Sequence, residues 1–223
     1  MKSFVTEIVA FVLLAFPALF SIINPLGGAF IFLSATQGAS RRSRQMLARK
    51  VAIFSFATLV VSMVAGVYVL RFFGISMPVL RVAGGIVIAL SAWRMLDAGA
   101  DSAGREAALP APVDRDVESM AFYPLTMPIT TGPGTISVAV ALGTRGVAEG
   151  NPLLFAIEVL ITAVPMSLLI YALYASSGRL SRAVGATGTT IISRLSAFLL
   201  FCIGIQVMWG GIEQLVRGLA AGQ

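Results

Sequence analysis

Asn24-Pro25-Leu26-Gly27-Gly28 cuts an apolar run that extends from Ile8 to Leu33. A helix of about 20 apolar residues crosses the hydrocarbon core of a bilayer, so the run is long enough to span. Asparagine before proline reads as a helix start, with Asn24 as the N-cap and Pro25 at the first helical position. The run is therefore expected to be two half-helices, the second beginning near mid-membrane. Backbone polar groups left unpaired in lipid are costly, so such a break survives only inside protein or beside a watery cavity.

Composition points the same way. The chain has 223 residues, 57% hydrophobic and 12% charged, with a mean hydropathy of +0.91. A soluble domain carries roughly 25% charged residues, so this chain lacks the polar surface of one and reads as a polytopic all-α membrane protein. Further spans are expected at Val51 to Leu70, Met77 to Leu96, Met120 to Leu142, Pro152 to Tyr174, and Ile191 to Val216. Glu7 and the lack of a small-x-small cleavage site before Asn24 make the first run a retained span rather than a cleaved leader.

The fourth span carries a second break, Thr130-Thr131-Gly132-Pro133-Gly134, with glycine in the cap position before proline. Aligning Asn24 on Gly132 gives an offset of 108 positions, and Arg81-Val82-Ala83-Gly84 aligns on Arg194-Leu195-Ser196-Ala197 at 113. The expected architecture is six transmembrane helices as two inverted three-helix repeats, the first helix of each broken at mid-membrane. Residues 1–96 and 120–223 are the repeats. A polar cytoplasmic linker, 97–119, holds six of the ten acidic residues and joins them.

Broken segments at corresponding places in two inverted halves mark a transporter's central site. Half-helix N-termini offer N–H groups and a positive dipole end to a carboxylate, and unwound carbonyls suit an ammonium group or a cation. The expected substrate lining is Asn24, Pro25, Leu26, Gly27 and Gly28 from the first break, and Thr130, Thr131, Gly132, Pro133, Gly134 and Thr135 from the second. Gly27, Gly28 and Gly134 are expected to let a ligand approach the backbone, and Thr126 adds a hydroxyl. Gln206, in the middle of the sixth span, is expected to face protein, either lining the cavity or bonding a neighbouring helix. Glu158 is the acid deepest in an apolar run and the candidate for ion coupling, with H+ or Na+ as the coupling ion. Its alternative is an acid near the outer interface, paired with Arg81 or Arg145 or reaching water.

Other chemistry is poorly supplied. There is no histidine, and the single cysteine, Cys202, sits in an apolar run as an expected buried hydrophobe. No metal site, disulfide, P-loop or pair of intraspan acids is present, so neither an enzyme nor a cofactor is expected. The net charge of +6 and pI near 10.2 are read as loop charge rather than as a nucleic-acid surface. Loops after spans one, three and five hold eleven basic residues against five on the other side. That bias places both termini outside, in the periplasm, with the protein in a bacterial inner membrane. Trp93 and Trp209 read as interfacial anchors, as do Arg81 and Arg194. Gly84-Gly85, Gly204 and Gly210-Gly211 are close-packing surfaces serving either the contact between halves or an oligomer.

The stretch Ser21-Ile22-Ile23-Asn24-Pro25-Leu26-Gly27, with Tyr123-Pro124-Leu125-Thr126-Met127-Pro128 and Gly132-Pro133-Gly134-Thr135-Ile136, resembles the paired signatures of the MarC family. Ala83-Gly84-Gly85-Ile86 and Gly204-Ile205-Gln206 extend the likeness along nearly the whole chain. The resemblance implies six spans and a transporter of small neutral amino acids such as glycine and alanine. Thr130-Thr131 stands where many members carry small apolar residues, which bears on the substrate. A channel-like pore, or a transporter of another small solute, is the alternative reading.

Overall fold

The computed structural model describes residues 2–36, 38–97, 120–148 and 151–221, which form helices and no strand. Beyond Asp97 the expected linker lies outside the described residues. Helices α1 (Lys2–Ile23) and α2 (Pro25–Ala35) are separated by Asn24 alone. Pro25 is the first residue of α2, so Leu26, Gly27 and Gly28 lie in its first turn. Asn24 N–H still donates to the Phe20 carbonyl at 2.9 Å, and its own carbonyl accepts from Gly28 N–H at 2.8 Å. With φ at 45°, Asn24 is the one non-glycine residue at positive φ among the described residues, a conformation that asparagine tolerates better than most.

Helix α3 (Arg41–Phe72) starts well before the expected span, its first turn capped by Ser40 Oγ, which accepts from Ser43 N–H at 3.1 Å. The five basic residues Arg41, Arg42, Arg44, Arg49 and Lys50 therefore ride on a helix instead of a loop. Helix α4 spans Met77–Asp97.

The fourth expected span is divided. α5 (Ala121–Thr130) is of π type, with extended backbone at Tyr123 (φ −124°, ψ 123°) and Met127 (φ −117°, ψ 119°). Each of these precedes a proline, whose ring disfavours the α conformation in the residue before it. Thr131 and Gly132 follow, then α6 (Pro133–Ala148). Among the described residues five helices are long and apolar enough to cross a membrane, and Pro133–Thr144 is a shorter apolar helix. Pro124, Pro128 and Pro133 withdraw three backbone donors from this one segment, which divides it.

The last element, α7 (Pro152–Ala221), is interrupted only at Gly185 (φ 76°, ψ 173°), so the expected loop between spans five and six is helical. Its two arms contain the spans Pro152–Leu180 and Arg194–Ala220.

Glycines set the packing. A Cβ on Gly85 would lie 2.6 Å from the Gly204 carbonyl oxygen, one on Gly204 2.6 Å from Ala89 N, and one on Gly211 2.7 Å from the Pro78 carbonyl oxygen. Positions rise along α4 as they fall along α7, so these two helices run antiparallel at backbone contact. Gly85, Gly204 and Gly211 serve the contact between α4 and the second arm of α7, while Gly210 faces open space. Between α3 and α6, Val140 fills the space over Gly66, and the Met63 backbone abuts Gly143. The buried core includes Leu19, Phe32, Leu59, Met63, Leu125, Met166, Ile170 and Tyr174.

Leu13, Val61, Leu168 and Phe198 point outward with more than half of their surface open, as do Trp93 and Trp209. That apolar exterior suits lipid. Cys202 is also exposed, which corrects its reading as a buried residue. In a bilayer an apolar side chain is equally at home on the outer face.

Candidate functional site

Tyr174 is where the two breaks meet. On the first arm of α7, Glu158, Thr162, Met166, Ile170 and Tyr174 recur every four residues, a row that winds slowly round the helix with each member one turn from the next, and all are buried. The Tyr174 hydroxyl lies 2.9 Å from Thr130 Oγ1, at the end of α5. The same oxygen occupies the space that a Cβ on Gly28 would take, in the first turn of α2. Its ring stacks on Phe32 of α2 with centroids 4.8 Å apart and planes at 27°. One phenol thus touches both broken segments.

At the first break, the Asn24 side chain joins α2 to the second arm of α7. Its Oδ1 accepts from Gly27 N–H at 3.2 Å and its Nδ2 donates to the Ser196 carbonyl at 3.4 Å. A Cβ on Gly27 would sit 2.5 Å from Ser196 Cβ, so this glycine admits the second arm of α7. The N–H groups expected to await a ligand are engaged here: Gly27 by the Asn24 side chain, Gly28 by the Asn24 backbone. Pro25 is buried, while Leu26 is 44% exposed.

At the second break, the wide turn of α5 leaves carbonyls that hydroxyls take up. Thr126 Oγ1 donates to Ala121 O and Thr130 Oγ1 to Leu125 O, each at 2.7 Å, and Thr131 N–H donates to Thr126 O at 2.8 Å. Thr126, Thr130, Thr131 and Thr135 are all buried. Gly132 contributes no side-chain cap and Pro133 is exposed. The side chain of Ile88 occupies the space over Gly134, with the Gly84 carbonyl behind it, and Ser137 Oγ donates to Leu80 O at 3.4 Å. The half-helix of α2 therefore rests on the second arm of α7, and α6 rests on α4.

The structure brings Asn24, Gly27, Gly28 and Thr130 together around Tyr174 and Ser196. The three glycines expected to admit a ligand instead admit Ser196, Tyr174 and Ile88 in this conformation. Gln206 is exposed on the surface of the chain, away from Tyr174 and the breaks it was expected to join. Glu158 is 1% exposed, which removes the alternative of an acid reaching water; the Arg145 side chain lies outside those described. Sixteen residues of helix set Glu158 roughly 24 Å along the axis from Tyr174. Among the described residues no group of three metal-ligating side chains occurs. Around the breaks the groups on offer are hydroxyls, carbonyls and an amide, without a charged side chain.

Sequence reasoning missed Tyr174, Phe32 and Ser196. The signal for Tyr174 was present: Glu158, Thr162 and Tyr174 are the polar members of one four-residue periodicity inside an apolar span.

Comparison with known proteins follows this geometry. The model of a family described as MarC family integral membrane protein matches residues 9–216. The inner membrane protein MarC of Escherichia coli O1:K1 is 33% identical over 207 residues, covering 89% of this chain and 92% of the relative. Its namesakes in Escherichia coli K12 and Shigella flexneri are each 34% identical over 209 residues, with the same coverage. No solved structure matches.

Proposed function

The chain belongs to the MarC family of integral membrane proteins, and from that premise we propose that it is a secondary transporter of small neutral amino acids of the glycine and alanine class. It is a multi-pass protein of the inner membrane. Transport proceeds by alternating access, two inverted three-helix halves rocking around the paired breaks. The observation that carries this reading is the convergence of both broken segments on one buried, uncharged hydroxyl, Tyr174 Oη.

Contacts related by the sequence offset support the inverted repeat. Phe32 stacks on Tyr174, and Val140 packs over Gly66. Phe32 and Val140 stand 108 positions apart, as do Gly66 and Tyr174, the same offset that aligns Asn24 with Gly132. The antiparallel seam between α4 and the second arm of α7 is what third helices of two inverted halves require. Substrate enters by displacing Tyr174 from between Gly28 and Thr130. Its polar ends then meet the oxygens and N–H groups of the breaks. The basic residues at the start of α3 and between the arms of α7 support a cytoplasmic position for the ends that carry them, with both termini in the periplasm. Glu158, buried within its span, carries the coupling proton.

Counterflow tests the proposal. Liposomes containing purified protein and unlabelled alanine, without an ion gradient, should accumulate labelled glycine and alanine, and external neutral amino acids should compete. Gly134→Leu, which collides with Ile88 in the conformation described, should insert normally and fail to exchange. Glu158→Gln should lose the pH dependence of net uptake while retaining exchange. Absence of counterflow in folded protein would remove the amino acid assignment, and flux without exchange would make the chain a pore.

A further inference from the structure

A cavity of about 410 Å³ lies where the end of α2, the start of α3 and the end of the first arm of α7 meet. Arg41, Arg44, Arg179 and Arg182 line it, with Leu33 and Ala175 beside them, and no acid is among the lining residues that the structure describes. Four like charges around one space repel one another unless an anion joins them.

Two of the guanidinium groups are held in place by neutral partners. Arg44 Nε donates to Thr36 Oγ1 at 3.3 Å, and its Nη2 donates to the Thr36 and Ala39 carbonyls at 3.4 Å each. Arg182 Nε donates to the Gly178 carbonyl at 3.1 Å. These bonds fix direction and leave the charge uncompensated. Arginine presents a rigid fork that matches phosphate oxygens two at a time, with little ordering left to do on binding.

The level of the cavity selects the source of the phosphate. Leu33 ends the span Val5–Leu33, and Ala175 lies near the end of Pro152–Leu180. The arginines thus sit at the boundary between apolar span and polar flank, the depth of a lipid headgroup, with apolar surface beside them for a glycerol or acyl segment. Basic pockets between membrane helices at this level hold acidic headgroups. A zwitterion needs one such charge, not four. We propose that this cavity binds the phosphate of an anionic phospholipid headgroup, a role independent of whether the chain moves amino acids.

The test uses the full chain in neutral detergent, titrated separately with phosphatidylglycerol, phosphatidylcholine and inorganic phosphate. Retained adducts are read by native mass spectrometry and stability by thermal unfolding. Phosphatidylglycerol should be retained and stabilise the protein, and phosphatidylcholine should do neither. Arg41→Gln with Arg179→Gln removes two exposed arginines and should weaken retention roughly 25-fold, each basic residue near an anionic headgroup contributing about fivefold. Arg71→Gln with Arg217→Gln, which do not line the cavity, changes net charge equally and should leave retention unaltered. Equal retention of the two lipids by the intact chain overturns the proposal, including the case in which acidic residues of this chain already cover the arginines. Equal loss in both double variants also overturns it. Equal stabilisation by inorganic phosphate overturns the lipid assignment and makes the site one for a soluble anion.

Discussion

Tyr174 Oη and Thr130 Oγ1 lie 2.9 Å apart, joining a residue of the fifth predicted span to the last turn before the second break. Thr130 also donates to Leu125 O, so one hydroxyl links the π-type segment to α7. Interhelical hydrogen bonds within membranes contribute about 0.6 kcal/mol on average. A double-mutant cycle of Tyr174→Phe and Thr130→Val, read by unfolding in mixed micelles, should give a coupling of about 0.5–1.5 kcal/mol. Additive losses would mean that the two hydroxyls do not act together.

Gly28 and Tyr174 make a second, steric pair. Gly28→Ala places a methyl group where the phenol oxygen sits and should cost about 1–3 kcal/mol, the usual penalty of overpacking. In a Tyr174→Phe background the oxygen is gone, and most of that cost should vanish. Persistence of the full penalty in the double variant would place the strain elsewhere.

Asn24 combines a left-handed backbone with a side-chain cap. Replacement by alanine loses the cap and strains the backbone, together about 2 kcal/mol; replacement by glycine relieves the backbone and should cost about half as much. The order matters more than the size. Thermal unfolding that ranks Asn24→Ala as the milder change would contradict the geometry.

The glycines of the seam should differ sharply from their neighbour. Gly85→Val and Gly204→Val each thrust a side chain into backbone atoms and should abolish the monodisperse folded peak on size exclusion. Gly210→Ala, with nothing within 4 Å, should change stability by less than about 0.5 kcal/mol. Equal tolerance at Gly85 and Gly210 would show that α4 and α7 do not touch through glycine.

Both breaks were legible because proline and glycine state backbone chemistry directly: a missing donor at Pro25 and Pro133, a missing Cβ at Gly27 and Gly134. The same prolines hid the shape of the fourth span, since Pro124 and Pro128 act on the conformation of Tyr123 and Met127 and no apolar count registers that. Which face of a span is buried was not legible from apolarity. In water an apolar side chain marks the inside; in lipid Leu168 faces out and Ile170 faces in with equal comfort. That is why apolarity misplaces Cys202, and why it marks Tyr174 only as the end of a span.

The glycine contacts have a consequence for biogenesis. The groups that fill the space at Gly27, Gly28, Gly66 and Gly85 are Ser196, Tyr174, Val140 and Met208. All four come from later in the chain. While the ribosome is still making residue 130, the first three predicted spans lie in the bilayer as separate rods with unfilled notches. Tertiary assembly therefore waits for the second half to be synthesised, and a nascent chain stalled between the halves is a substrate for membrane quality control.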